Sequence, residues 1–380
     1  MAKNIYVVGT NDNEYFEFKR LGDGNVQVDV HKMHRDGENE EQIYSRLIKK
    51  DETEEFVVYC LGKKDVFDAS GSSASSINLR IVGGKGVDVI RDNSTVNGGK
   101  STFVYDKSKK DEVAFGTETK VVKTRNEIKF GSQNLFDYNY NVLLPILGYN
   151  TDDGLIGGFS YRTIKRGFGK DEFARNSLFV GTFTSNLNFV LEYETKIKRS
   201  NSAWDLVLGL GAVNNDRNYP MFYGCGNEAV KNDELNLNDF YKNKTSVYYS
   251  CIGVEKSLWE RSSFTPKLKV EYIDVQPNPK TANQETFYDG LTNADGLGST
   301  TLIETEMELD IDLTDNKFIP TSGIRFNVLN NSFYNTHREL GLGGRIDSEA
   351  TIFTSVGSNK PTTLSIRGGY SYTYGDTPFY

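Results

Sequence analysis

No run of about 18 apolar residues occurs anywhere in this chain, so a membrane-spanning helix is excluded. A membrane is not, because the strands of a transmembrane barrel alternate apolar and polar residues and keep a low mean hydropathy. Cysteine is scarce. Cys60, Cys225 and Cys251 are too few and too scattered for a disulfide framework. Three histidines leave little for zinc chemistry. Excess positive charge is also missing: 44 Lys and Arg stand against 52 Asp and Glu, a net charge of −8, which gives no footprint for nucleic acid. There is no nucleophile elbow and no clustered ligand set, so an enzyme reading lacks its parts. The first residues, MAKNIYVVGTNDNEYF, hold no apolar stretch of a secretory signal. The expectation is that the chain either is cytosolic or begins inside a longer one.

What is present is aromatic and turn-forming: 23 Phe, 22 Tyr and 36 Gly against 8 Pro, with no helical periodicity. This composition predicts an all-β protein with many turns. Residues 1–120 read as a β-rich domain of short strands separated by Gly, Asp and Asn turns: NIYVVGT, YFEFKRL, NVQVDVHKM, QIYSRLI, EEFVVYCL, INLRIVGG and TFVYD. Within it LGKKDVFD (61–68) echoes GGKGVDVI (83–90), so that Asp65 and Asp88 lie 23 residues apart. Stacked similar turns of this kind imply a small sandwich or a short β-solenoid. Residues 121–138 read as a connector.

From residue 139 the grammar changes to longer strands with clean alternation. Eleven are expected, at 139–149, 154–166, 174–185, 187–199, 202–213, 243–256, 262–275, 301–314, 322–334, 344–356 and 362–375. Tilted spanning strands need ~9–11 residues, whereas globular strands have a mode of ~5–6. In LNFVLEYETKIK (187–198), Leu187, Phe189, Leu191 and Tyr193 share one parity, and Glu192, Glu194 and Lys196 take the other. Burying those charges inside a sandwich would strand them without water; facing a polar lumen costs far less. Short connections (SLWER, DNKFIPTSG, GSNKP) fall at one end of the meander, and the longest, 214–242 and 276–300, at the other. Outer-membrane barrels sort their turns and loops in this way. Tyr219, Phe222, Tyr223, Trp259, Phe264, Phe333 and Tyr334, near expected strand ends, suit interfacial girdles. The competing architecture is a large soluble β-sandwich with solvated outer faces.

Three segments carry a resemblance. LLPILGYNTDDGLIGGFSYR (143–162) resembles the start of the barrel in the BamA/TamA-type outer-membrane superfamily, the bacterial surface antigen family. MFYGCGNEA (221–229), with Phe222, Tyr223, Gly224, Gly226 and Asn227, is similar to a segment of its Bacteroidetes-type members. DLTDNKFIPTSGIRFNV (312–328) resembles the family's turn and strand through Asp315, Pro320 and Gly323. The resemblance implies a periplasmic β-domain over 1–120 and a partial outer-membrane barrel over 139–380, with 11 of the family's sixteen strands. It also implies a chain that is a fragment, since the family's Arg-Gly-Tyr/Phe loop motif does not follow GDTPFY. Outer-membrane lipid, other outer-membrane proteins and accessory lipoproteins are the implied partners. A calcineurin-like metallophosphoesterase often lies upstream in such proteins, and its metal ligands are absent here.

Other motifs have plainer readings. GGKGVDVI fits a calcium-binding nonapeptide pattern, in which glycine frees backbone carbonyls and Asp88 supplies carboxylate oxygen; Gly84, Gly86 and Asp88 are the candidate ligands, against a tight inter-strand turn. NGGKST (97–102) imitates a phosphate loop but lacks its first glycine and a following helix. His31 and His34 would point to opposite faces of a strand. Pro320 opens a strand where no ladder donor is needed, Gly323 permits the turn, and Asp315 caps it. Pro145 interrupts the first long strand and marks a barrel seam. Three functions follow as expectations: membrane-protein assembly or translocation, with no catalysis in this chain; anchoring of an upstream phosphoesterase; or a soluble module that binds carbohydrate or calcium.

Overall fold

The computed structural model describes residues 3–34, 39–84, 86–106, 112–124, 128, 138–150, 154–170, 172–215, 243–259, 261–277, 297–336, 341–357, 362–375 and 377. All regular structure among them is β. The chain divides into two compact units. The first comprises residues 1–137 with two short segments, Phe168–Asp171 and Ser200–Ser202, and the second holds the remainder.

The first unit is a short solenoid, one of the two forms expected. Its strands are β1 (Asn4–Val8), β2 (Glu14–Arg20), β3 (Val26–Met33), β4 (Asn39–Ile48), β5 (Glu55–Tyr59), β6 (Val66–Ser73), β7 (Asn78–Val82), β8 (Val89–Asp92), β9 (Thr95–Val96), β10 (Thr102–Asp106), β11 (Glu112–Phe115) and β12 (Thr119–Lys123). One sheet runs β1-β5-β7-β10-β12, all parallel. The other runs β11-β8-β6-β2-β3-β4, parallel up to β2 and antiparallel through the β3–β4 hairpin. From β4 on, β9 aside, successive strands therefore alternate between the two sheets. Residues 23 apart stack: Glu55 on Asn78, Val66 on Val89, Leu79 on Thr102. The echo of Asp65 and Asp88 is this coil repeat. β12 straddles the 120/121 boundary expected from the sequence.

The two sheets close on one core. Phe16, Phe18, Val28, Phe56, Val58, Phe67, Leu79, Ile81, Ile90 and Val104 are all buried there, and Phe16 stacks on Phe67 with ring centroids 4.8 Å apart. Burial of each large side chain contributes on the order of 1.5–3 kcal/mol. A buried cation, Arg20, sits at one corner. It donates to Ser94 Oγ (3.0 Å), Ile77 O (3.0 Å) and Thr102 Oγ1 (2.9 Å), and burial pulls its guanidinium below the usual range. Each donor that finds an acceptor lowers the cost of desolvating that charge.

The second unit is an eleven-stranded antiparallel meander: β13 (Tyr140–Asn150), β14 (Gly154–Lys165), β15 (Arg175–Thr184), β16 (Phe189–Ile197), β17 (Asp205–Asn215), β18 (Asn243–Ser257), β19 (Ser263–Pro277), β20 (Gly298–Asp312), β21 (Gly323–Asn335), β22 (Leu342–Val356) and β23 (Thr362–Gly375). Each pairs with its sequence neighbour, leaving β13 and β23 at the edges. All eleven expected strands are present, each within three residues of the expected bounds; β17 begins three residues late and β20 three residues early. Leu187 is a correction. It lies in the turn between β15 and β16, 87% exposed with φ +64°, and takes no part in the strand face assigned to it. The sorting of connections is looser than expected: a tight β15–β16 turn at 185–188 lies at the same end as the long connections.

Candidate functional site: the inner face of the long sheet

Pairing register carries one face across all eleven strands. On one side run Phe159, Phe179, Leu191, Tyr193, Leu208, Leu210, Ile252, Leu268, Val270, Ile303, Met307, Val328, Ile352, Ile366 and Tyr370. On the other run Arg162, Glu192, Glu194, Lys196, Glu255, Lys267, Lys269, Glu271, Arg325, Arg345, Glu349 and Arg367. β20 alone places Glu304, Glu306, Glu308, Asp310 and Asp312 on this second side, because ETEMELDID alternates without a break.

Burial is inverted relative to a water-soluble sheet. The charged face holds Glu304 at 3% and Glu271 at 8% exposure, while on the apolar face Ile252 is 54% and Leu210 56% exposed. Sheet curvature therefore closes over the polar side. Its charges are matched across strands: Lys267 Nζ lies 2.7 Å from Glu306 Oε1, Lys269 pairs with Glu271 and lies 3.5 Å from Glu304, and Lys196 pairs with Glu255. Tyr249 donates to Glu192 at 3.2 Å. Arg261 and Arg325 both pair with Asp312, at 3.3 and 3.5 Å. Toward the ends of β14, β18 and β20 this face opens into a cavity of about 700 Å³, lined by Arg162, Leu178, Glu194, Lys196, Arg261 and Asp310 among others. Near the opposite ends it is apolar: Val247, Ile273, Val275 and Leu302 are buried together with Phe333 against them. Phe333 is thus a second correction. It pairs in register with Glu304 and faces inward, whereas Tyr334 faces out. Trp204 and Phe264 meet edge-on at 6.4 Å on the outer side, with Lys256 over the Trp204 ring.

The β20–β21 turn brings the three expected residues together. Asp315 accepts hydrogen bonds from the Thr321 hydroxyl, from Ser322 N (3.1 Å) and from Thr321 N (2.8 Å), which hold its carboxyl far below the usual carboxylate range. Pro320 lies inside the loop so closed, just before β21. Gly323 has φ +111°, and a Cβ there would meet the carbonyl of Leu313. Pro145 lies in β13, opposite Phe159, on an edge of the sheet where proline is tolerated. Phe222, Tyr223, Gly224, Gly226 and Asn227 lie outside the described residues.

In the first unit Gly84, Gly86 and Asp88 share a coil corner with Asp65 and Glu14. Asp88 Oδ1 accepts from Asp65 N, and Asp65 Oδ1 from Glu14 N, each at 3.0 Å. A Cβ on Gly86 would overlap the carbonyl of Lys63 on the preceding coil, so close approach of the coils requires glycine there. Among the described residues no group of three or more His, Cys, Asp or Glu is placed to hold a metal ion. The stack links successive coils. Burial and the neighbouring carboxylates push Asp65 up to about 7 and the Cys60 thiol well up. Lys100, from the phosphate-loop imitation, donates to Thr117 O and Thr119 O. The acidic row of β20 was missed by sequence reasoning, although its strict alternation was there to be read.

No curated protein matches this chain. The Omp85 superfamily domain matches residues 167–380, more than half of the chain and most of the long sheet, and the protein belongs to the Omp85 superfamily of outer-membrane β-barrel proteins.

Proposed function

We propose that this chain is an outer-membrane barrel that acts in the assembly of membrane proteins or the passage of polypeptides. The observation that carries the reading is the inverted burial of the long sheet, with paired charges inside and exposed apolar side chains outside. Such a face is stable against hydrocarbon and unstable against water. The lipid of the outer membrane is the partner of that face, and the solenoid unit stands in the periplasm. Other outer-membrane proteins or accessory lipoproteins are the candidates for engagement.

The working element is β13. It is an edge strand whose free backbone groups can template a further strand, and Pro145 removes one donor from it. In the full-length protein, cysteines placed along β13 should form disulfides with cysteines in the terminal strand of a client barrel during its assembly. Deleting residues 139–149 should abolish assembly while the protein still reaches the membrane. Unaltered assembly would leave the barrel as an anchor for an upstream phosphoesterase.

A further inference from the structure

The inner face is not uniform around the sheet. From β16 onward it carries the paired charges, with the buried cluster of Val247, Ile273, Val275 and Leu302 near one set of strand ends. On β13 to β15 it is apolar: Val142, Leu144 and Ile146 on β13, Ile156 on β14, and Leu178 and Val180 on β15. β13 carries apolar residues on both faces, with Leu143 and Leu147 outward and Leu144, 57% exposed, inward. A strand lining only a watery lumen has no reason to present this inner surface.

One cation interrupts the patch. Arg162 on β14 is exposed, lies in register between Val142 and Leu178, and lines the cavity. Lys196 and Lys198 of the same cavity have carboxylate partners in Glu255 and Glu172. Arg162 has none among the described residues. Other polar groups nearby include Ser160 on β14, Asn176 on β15, and Glu192 and Glu194 on β16, and Glu172 and Asp310 line the same cavity. Six residues of strand separate Arg162 from Ile156, about 20 Å at ~3.4 Å per residue. At the ~40° tilt of barrel strands this is a depth of about 15 Å, half of a ~30 Å hydrocarbon core.

A guanidinium at one end of an apolar wall one leaflet deep fits one class of ligand. We propose that the inner face of β13 to β15 binds an anionic phospholipid of the periplasmic leaflet, its phosphate on Arg162 and an acyl chain along Leu144, Ile146, Ile156 and Val180. The inference rests on the membrane reading above and adds a lipid site on the lumen side of the edge strand. Lipid seated there keeps the inner surface of β13 covered while its backbone edge stays open to a client.

The test uses the full chain folded into vesicles that carry phosphatidylglycerol with a photoactivatable diazirine on the acyl chain, with adducts mapped by mass spectrometry. Labelling of outward Leu143, Leu147, Phe159 and Phe179 reports the membrane reading alone. The proposal expects additional adducts on inward Leu144, Ile146, Ile156 or Val180. These should fall at least threefold with diazirine phosphatidylcholine, and at least threefold in Arg162→Gln, while outward labelling holds. Outward adducts without inward ones would overturn the site. So would inward adducts indifferent to headgroup and to Arg162→Gln, or inward labelling blocked by a peptide strand but not by unlabelled lipid. Absence of outward adducts would instead overturn the membrane reading.

Discussion

At the scale of single residues, Asp65 makes the stability of the solenoid depend on pH. Its carboxyl is buried beside Asp88 and Glu14, with the Cys60 thiol against it, and titrates near 7 when folded, against ~3.9 unfolded. A raised carboxyl pKa means that the folded state holds its proton longer. Stability is thus full below pH 4, falls as pH rises from 4 to 7, and is level above. Three pH units at ~1.4 kcal/mol each give a swing of about 4 kcal/mol. Asp65→Asn keeps the acceptor for Glu14 N and removes the charge. Urea unfolding followed by circular dichroism should find the variant equal to wild type at pH 4 and more stable by up to about 4 kcal/mol at pH 8; a parallel pH profile would refute the assignment. Gly323 is a second such position. At φ +111° and with the Leu313 carbonyl in the way, Gly323→Ala should cost at least ~1–2 kcal/mol. The check is the denaturation midpoint in vesicles, with Ser322→Ala as the mild control.

At the scale of elements, the long strands were legible because two-residue alternation persists over nine or more positions, a signal that few competing structures imitate. The solenoid strands were partly hidden. β6 (VFDASGSS) runs out into small polar residues, and β8 (VIRD) has four residues, too few for alternation to register. Their spacing was visible only through the Asp65 and Asp88 echo. Leu187 misled because a leucine at positive φ has no signature in sequence. Phe333 misled because an aromatic near a strand end reads as a girdle residue until register assigns its side. The apolar inner wall of β13 to β15 was invisible for a different reason: which residues are neighbours across strands is a property of register, not of any one segment. Register in turn predicts how a new charge is received. Val270→Arg puts a guanidinium on the outer face and should cost ~2–4 kcal/mol in a bilayer if it lies near the midplane. Asn327→Arg puts the same group on the inner face, in register between Asp310 and Glu349, and should stay within about 1 kcal/mol of wild type. Equal costs would mean that the two faces do not meet different solvents.

At the scale of the whole molecule, the two units are held together by different solvents. The solenoid has a core of its own, with sixteen buried residues between its sheets. Among the described residues of the long sheet four form a buried apolar cluster, and many of its other large hydrophobics point outward at exposures near one half. Water drives the first unit to fold and the second to associate. In buffer without amphiphile the full chain should therefore aggregate through the sheet, while amides of the solenoid core keep their protection from hydrogen exchange. In phospholipid vesicles it should become protease-resistant and migrate differently on electrophoresis with and without heating. Two unfolding transitions are then expected, and the solenoid's should move to higher denaturant as pH falls from 8 to 5, because Asp65 belongs to that unit. A single cooperative transition in buffer, from a monodisperse monomer, would mean that the exposed face is covered by protein and that the chain folds without a membrane.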